Sequence, residues 1–229
     1  MAREYETHRP DQSVKEHVAF WRKRALETGK RGVVHCAHSD KEAVTEQAVL
    51  RNHFGQAFAG LKKRGRLPTK PWVLDFGCGW GRWTPFLADA TGGHVTGLDI
   101  SSDYIMEARK LAVGNPFVKF ENLIDPMSKF PFGGSSFDLI FTCTVLQHLV
   151  RSDLLYHTLD EFRRVLTPKG LLVMFEATAK QHSKPHIVFG GVDRYQRLLP
   201  WMKIRGGWTT SIRGEEHTLM LGERDAVHF

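Results

Sequence analysis

The chain has 229 residues, of which 41% are hydrophobic and 25% charged, proportions typical of soluble globular proteins. No apolar run approaches the ~20 residues of a transmembrane helix, and the polar N-terminus lacks the apolar core of a secretory signal. The formal charge of +7 is compatible with a nucleic-acid partner without requiring one. Three cysteines, an odd number with no close pair, argue against a disulfide framework. We therefore expect a cytoplasmic protein with no membrane segment.

Two helices are predicted within residues 1–70, at Val14–Thr28 and Asp40–Lys63. In the second, apolar side chains recur at helical spacing between Val49 and Leu61, which gives one apolar face. The basic run Lys62–Arg66 and the prolines after it end this helix. We expect residues 1–70 to form a helical cover on the rest of the chain.

From Trp72 onward, short apolar runs alternate with amphipathic segments. Ser102 and Ser152 are predicted helix N-caps. Alternation of strands and helices implies right-handed crossovers and a parallel sheet with helices on both faces, so the predicted fold class is α/β, doubly wound, with its core at residues 71–178. The predicted strands are Trp72–Phe76, His94–Asp99, Phe117–Glu121, Phe137–Thr142 and Gly170–Glu176, and the helices are Arg82–Ala90, Ser102–Val113 and Ser152–Leu166.

The last part of the chain, residues 179–229, is less regular. Its pattern predicts a helix at Asp193–Met202 and two strands, Trp208–Ile212 and His217–Leu221, with Glu215–Glu216 in the turn between them. We expect the two strands to form an antiparallel hairpin at one edge of the sheet. This part would lie on the substrate side of one domain that spans residues 1–229.

The most informative motif is VLDFGCGWGRW, residues 73–83. An apolar strand turns through Gly77, Gly79 and Gly81 into a helix, and glycine permits both the tight turn and a close approach to a ligand. A dinucleotide site would need glycine at position 82, where Arg82 stands. The spacing of Gly60–Gly65 suits a P-loop, but the lysine and hydroxyl residue that should follow are absent. The turn therefore indicates a ligand site of another kind at the carboxyl end of the first strand.

Asp99 ends the strand HVTGLD and follows Gly81 by 18 residues. An acidic residue meets the ribose hydroxyls at an interval of about 20 residues in adenosine-binding sheets of this kind. The alternative is an ordinary strand-end carboxylate that caps Ser101 or Ser102. The glycine turn upstream favours the ribose interpretation.

Four segments in succession resemble the motifs of class I S-adenosylmethionine-dependent methyltransferases: VLDFGCGWGRW, GLDISSDYIMEARK, FPFGGSSFDLIFTCTVLQHL and LDEFRRVLTPKGLLVMFE. The resemblance covers about residues 72–176. It implies a seven-stranded sheet whose last strand is antiparallel, with S-adenosylmethionine as cofactor. It also implies that the Gly77–Gly81 turn meets the methionine part, that Asp99 meets the ribose and that Ile100 lies beside the adenine.

The same resemblance assigns the other cofactor contacts. Cys143 and Thr144 would border the methionine part, and Asp125 would lie near the adenine amine. Asp75 would organise the loop behind the cofactor. Arg82 and Trp83 depart from the residues commonest in the family, and we expect Arg82 to pair with the cofactor carboxylate. The full cofactor-binding set is Asp75, Gly77, Cys78, Gly79, Gly81, Arg82, Trp83, Asp99, Ile100, Asp125, Cys143 and Thr144.

Two residues near the expected transfer point are candidate catalytic groups. A sulfonium is already an activated methyl donor, so the protein mainly aligns the reactants, and a base is needed only when the acceptor arrives protonated. His148 follows the fourth strand and Glu176 ends the fifth. Their alternatives are structural packing for His148 and a solvated strand-end carboxylate for Glu176.

Further side chains are candidates for the acceptor pocket. His182 and His186 would border it or lie on the surface, and Tyr195 and Trp201 would line it or serve as apolar packing.

The sequence His35-Cys36-Ala37-His38 contains zinc-ligand residue types, but no second pair lies at a recognisable spacing, so we expect no metal. A substrate-facing lid is the favoured role for His35 and His38.

Two acceptor classes and one role without catalysis remain open. We favour an oxygen or nitrogen of a small molecule, because the chain pairs one core with a helical cover and shows no appended recognition domain. RNA or a protein is the alternative that the charge and the Lys62–Arg66 run suggest. The third is a cofactor-binding subunit that does not catalyse. The oligomeric state is left open.

Overall fold

The apolar runs of the chain form the seven strands of one mixed sheet in a computed structural model that describes residues 13–28, 40–179, 187–212 and 214–224. The strands are β1 Trp72–Phe76, β2 His94–Asp99, β3 Val118–Asn122, β4 Phe137–Cys143, β5 Leu166–Ala177, β6 Met202–Ile212 and β7 Glu215–Arg224. The helices are α1 Val14–Thr28, α2 Asp40–Lys63, α3 Thr84–Thr91, α4 Ser102–Leu111, α5 Ser152–Val165 and α6 Val192–Leu198, and a short 3-10 helix spans Leu146–His148.

The strand order is β3-β2-β1-β4-β5-β7-β6. Neighbouring strands from β3 to β5 pair in parallel, whereas β7 lies antiparallel between β5 and β6. The predicted doubly wound α/β fold with an antiparallel last strand is therefore confirmed. The carboxyl ends of the parallel strands meet at one edge, where ligands bind in sheets of this class.

Helices cover both faces of the sheet, since each face has its own apolar cluster. On one face, Phe54 and Phe58 of α2 pack with Leu87 of α3 and Ile105 of α4. On the other face, side chains of α5 and α6 such as Phe162 pack against the strands. None of the helices in the described part of the chain is long and apolar enough to cross a membrane.

The two predicted N-terminal helices have the bounds expected from the sequence, and both contact the core. The α2 face contributes fully buried phenylalanines to one cluster. The Trp21 ring of α1 meets the His148 ring edge to face, with 4.8 Å between centroids. Just beyond the end of α2, Arg66 pairs with Glu223 of β7 at 2.9 Å. The basic run Lys62–Arg66 thus lies beside the amino ends of the parallel strands, away from the glycine turn.

Both predicted N-caps were wrong by one residue. Ser101 caps α4, with its Oγ accepting the Tyr104 N–H at 3.3 Å, because Asp99 fixes the extended backbone of Ser101 through its N–H. Helix α5 begins with Ser152 itself, after Arg151, whose side chain makes no capping bond.

Three predictions for the C-terminal part also need correction. Helix α6 ends at Leu198, since Pro200 disfavours helical backbone in the residue before it, and Met202 already belongs to β6. Glu215 and Glu216 pair with β6 inside the ladder and do not form the turn. The two strands extend beyond their predicted bounds, but the expected hairpin at the sheet edge is present.

Candidate functional site

The glycine turn after β1 contacts the carboxyl end of β2 and the loop that follows β4. Gly77, Gly79 and Gly81 have φ of 70°, 55° and 86°, in the left-handed region that glycine adopts without strain. The N–H groups of Gly77 and Cys78 donate to the carbonyl of Leu98 at 2.8 and 3.2 Å. A Cβ on Gly77 would lie 2.5 Å from a methyl group of Val145, so the loop after β4 closes directly on the turn.

Asp99 lies across this turn, at the carboxyl end of β2. Its Oδ2 accepts the Gly79 N–H at 2.9 Å and its Oδ1 accepts the Ser101 N–H at 2.8 Å. Burial raises the pKa of this carboxyl, while the N–H donors oppose that rise. The structure therefore brings Asp99 and Gly79 together, and it also contains the bond to Ser101 that the alternative interpretation required.

Asp75 of β1 holds the start of α3, the helix that follows the glycine turn. Its fully enclosed carboxylate accepts the hydroxyl of Thr84, the first residue of α3, at 2.6 Å. Burial raises the pKa of Asp75 to about 7, a rise that the Thr84 hydrogen bond opposes. Thr84 was missed by the sequence reasoning, although a hydroxyl residue that opens a helix after a glycine turn is a readable signal.

Arg82, Trp83 and Cys143 lie together on the α2 side of the turn. The Arg82 guanidinium lies over the Trp83 ring, 4.6 Å from its centroid. Burial raises the pKa of the Cys143 thiol to about 12, although Arg82 acts in the opposite direction. Burial also raises the pKa of Cys78. Both thiols are therefore protonated at neutral pH, which argues against a nucleophilic role for them.

Thr144 has a strained backbone at the end of β4. Its φ is 58°, a value uncommon for a β-branched residue. The Thr144 N–H donates to the carbonyl of Phe175 at 2.7 Å, and its hydroxyl donates to the carbonyl of Cys143 at 2.7 Å. Such strain persists only where the surroundings hold it, and it clusters at functional sites.

Glu176 supplies much of that support. The residue is 0% exposed, so it is not the solvated carboxylate of the alternative interpretation. Its Oε1 accepts the Thr142 hydroxyl at 2.8 Å and the Val145 N–H at 3.1 Å. Its Oε2 accepts the Gln147 N–H at 3.2 Å. Burial raises the pKa of Glu176 to about 7, against the effect of these donors. The carboxylate is thus engaged with the loop after β4.

His148 is half-buried at the end of that loop, against Trp21 of the cover. The preceding residue, Gln147, was missed by the sequence reasoning. Its side-chain oxygen accepts the Ala177 N–H at 2.7 Å, and its carbonyl accepts the Val188 N–H at 2.8 Å. Gln147 therefore ties the loop after β4 both to the end of β5 and to the segment before α6.

Three other predicted site residues, Asp125, Ile100 and Trp201, contact parts of the chain other than the glycine turn. Asp125 is exposed, and its carboxylate accepts the Met127 N–H at 3.0 Å within its own turn. Ile100 packs against the cluster on the α5 face. Trp201 lines a cleft of about 230 Å³ beside α5, at the amino end of β6, so it is not at the mouth of the site. The predicted residues His35, His38, His182 and His186 lie outside the described residues.

Comparison with known proteins links the glycine turn and Asp99 to a methyltransferase domain. Residues 73–170 match a family profile described as a methyltransferase domain. The chain is 31% identical over 156 residues to a hybrid PKS-NRPS synthetase of Penicillium oxalicum. The aligned region is 64% of this chain and 4% of that protein. It is 33% identical over 108 residues to demethylmenaquinone methyltransferase of Bacillus velezensis, or 46% of this chain and 45% of the relative. The chain spans less than half the length of these curated relatives.

A solved structure shows the same fold. Magnesium protoporphyrin IX methyltransferase from Synechocystis, with bound S-adenosylmethionine, superposes with a TM-score of 0.64 at 20% identity, over 91% of this chain and 97% of that one. The fold is therefore the Rossmann-like fold of class I S-adenosylmethionine-dependent methyltransferases, and residues 73–170 carry the match to the methyltransferase-domain profile. Across the described residues, no cluster of histidine, cysteine and acidic side chains suits a metal ion.

Proposed function

We propose that this protein transfers the methyl group of S-adenosylmethionine to an oxygen or nitrogen of a small molecule. The observation that carries the proposal is the junction of the glycine turn with Asp99, where the Gly79 N–H and the carboxylate meet at 2.9 Å. Each carboxylate oxygen has further lone pairs for the ribose hydroxyls. The family profile and the bound cofactor of the solved relative support the same assignment.

The residues around the turn fit such a cofactor. The left-handed backbone at Gly77 and Gly79 leaves room where a side chain would stand. In our proposal Asp99 binds the ribose, and Cys143 and Thr144 border the methionine part. Arg82, buried beside Cys143, would meet the cofactor carboxylate. The bound cofactor supplies an activated methyl group on sulfonium sulfur, so the protein has only to align the acceptor with it.

The acceptor side would be formed by the end of β5, the loop after β4 and α1. We propose that Glu176 positions this loop and does not take a proton from the acceptor, because both its oxygens already accept hydrogen bonds and the residue is fully buried. His148 is the candidate base or orienting group, since it is half-buried and Trp21 shields one side of its ring.

Two observations favour a small acceptor over RNA or protein. The names of the relatives describe quinone and porphyrin methyltransferases, which act on small molecules. The basic run Lys62–Arg66 lies near Glu223 at the amino ends of the strands, remote from the proposed transfer point. We further propose that residues 1–229 act as one domain in the cytoplasm, where the reduced thiols of Cys78 and Cys143 would persist.

Calorimetric titration with S-adenosylhomocysteine tests the cofactor site. Asp99→Asn keeps the shape of the side chain but removes its charge, so we expect the Kd to rise about 10- to 100-fold, as for loss of charge-assisted hydrogen bonds of roughly 1.5–3 kcal/mol. Asp103→Asn, in the first turn of α4, is the matched control and should change the Kd less than about twofold. Equal affinity of the Asp99 variant and the wild type would remove Asp99 from the site.

Transfer of labelled methyl into a cell extract tests the acceptor class. Label in the small-molecule fraction supports the proposal. Label in RNA or protein refutes it in favour of the alternative, and cofactor binding with no transfer would indicate a subunit that does not catalyse.

A further inference from the structure

Arg194 is a buried cation with no ion pair in the described part of the chain. The residue is 4% exposed, and its Nη1 is buried without a hydrogen-bond partner. The adjacent carboxylate is not available, because Asp193 pairs with Arg197 at 2.6 Å on the outer face of α6. A buried charge that lacks a countercharge is costly to a fold, so its presence requires an explanation.

The surroundings of Arg194 place it at the edge of the sheet that carries the proposed site. Its guanidinium lies over the ring of Tyr195, 5.4 Å from the centroid. The Tyr195 hydroxyl donates to the carbonyl of Ala177 at 3.3 Å, and Ala177 is the last residue of β5, directly after Glu176. Tyr195 therefore lies at the end of β5, on the side opposite Arg82 and Trp83, and its contact with Arg194 brings the guanidinium there.

The backbone around Arg194 leaves space for its side chain. A Cβ on Gly190 would lie 2.4 Å from Cδ of Arg194, so only glycine at that position lets the arginine pack as it does. The segment that joins β5 to this region, residues 180–186, has the sequence KQHSKPH and contains no acidic residue. It therefore cannot supply a carboxylate partner.

We propose that Arg194 binds a carboxylate of the methyl acceptor, an inference that rests on the proposed function. A guanidinium presents a planar fork of donors that matches a carboxylate in a bidentate arrangement. One buried cation balances one negative charge, whereas a phosphate dianion would add an excess charge near Glu176. The acceptor class is thus a small carboxylic acid, held beside the end of β5.

Arg194→Met separates a ligand-binding role from a structural one. Removing an unpaired buried charge should leave the urea midpoint of unfolding unchanged or higher. The Kd for S-adenosylhomocysteine should stay within about twofold of the wild type. The initial rate of label transfer from S-adenosylmethionine into the small-molecule fraction of the cell extract should fall about 10- to 100-fold, as expected for loss of a charged hydrogen bond. Arg197→Met, three residues away on the exposed face, is the matched control and should retain the wild-type transfer rate.

A second readout concerns the labelled product that the wild type forms in a cell extract. The proposal expects that this product binds an anion exchanger, or that mild base releases the label from it as methanol because the carboxylate itself was esterified. A neutral product stable to base would overturn the inference and leave the methyltransferase proposal standing. A marked drop in the urea midpoint of Arg194→Met would also overturn it, since the arginine would then belong to the structural frame. Absence of cofactor binding by the wild type would refute both proposals.

Discussion

Glu176→Gln removes the titration of a buried carboxyl while keeping the size of its side chain. The wild-type carboxylate accepts hydrogen bonds from the Thr142 hydroxyl and from two N–H groups of the loop after β4. Burial nevertheless raises the pKa of Glu176 from an ordinary 4.5 to about 7. Desolvation of the charged form therefore outweighs the donors.

The raised pKa of Glu176 determines the sign of a pH effect on the free energy of unfolding. Between pH 4.5 and about 7 the folded protein keeps a proton on Glu176 that the unfolded chain has released. The contribution of Glu176 to the free energy of unfolding is thus complete below pH 4.5 and is lost as the pH rises to about 7. Since one pKa unit corresponds to ~1.4 kcal/mol, the loss amounts to about 3 kcal/mol.

Urea unfolding of the wild type and of Glu176→Gln across pH 4 to about 8 measures this effect directly. The difference between the two free energies of unfolding should fall by about 3 kcal/mol over the window, in favour of the variant at high pH. Asp75 and His17, with pKa values of about 7 and about 4, remain in both proteins, so their contributions cancel in the difference.

Thr142→Val is the matched control, because it removes one donor and keeps the titrating carboxyl. Because the Thr142 hydroxyl lowers the pKa of Glu176, the variant should keep a stability that falls with rising pH, with the fall extended to higher pH than in the wild type. The loss of stability at high pH should be about 1 kcal/mol. Parallel curves for the wild type and Glu176→Gln would refute the reasoning, since they would mean that the carboxyl of Glu176 has its ordinary pKa in the fold.

Two further predictions test the residues that support the site, and both are measured by urea unfolding. Gly77→Ala should lower the free energy of unfolding by about 1–2 kcal/mol from its left-handed φ alone, with an added clash against Val145. In a double-mutant cycle, Val145→Ala should relieve the clash in Gly77→Ala and recover that part of the lost free energy of unfolding. Additive effects of the two substitutions would contradict the close approach of Val145 to Gly77. Phe54→Ala should cost about 3–5 kcal/mol because the ring is fully buried against Trp83. Val49 was predicted on the same apolar face but is exposed, so Val49→Ala should cost less than about 0.5 kcal/mol. Similar losses for both alanine variants would contradict the assignment of the buried face.

Local sequence patterns were sufficient for the elements of this fold. The apolar run His94–Asp99 and the spacing of apolar side chains in Asp40–Lys63 define a strand and a helix with the bounds observed. The glycine turn and the acidic residue that ends β2 were also readable, because the backbone geometry of such a turn restricts which residues it tolerates. Boundaries were less certain, as the shift of the α4 cap from Ser102 to Ser101 shows.

The surroundings of the charged side chains depend on residues that are distant in sequence. Glu176 and Arg194 are each compatible, as isolated residues, with solvent, catalysis or support. We propose a positioning role for Glu176 because the fold brings Thr142 and the Gln147 N–H to it from 29–34 residues away. Arg194 gained its significance only from burial beside Tyr195 at the end of β5. Burial and pairing depend on which distant segments pack together, so the sequence determined the elements and the cofactor class, while the tertiary structure determined what each charged side chain faces.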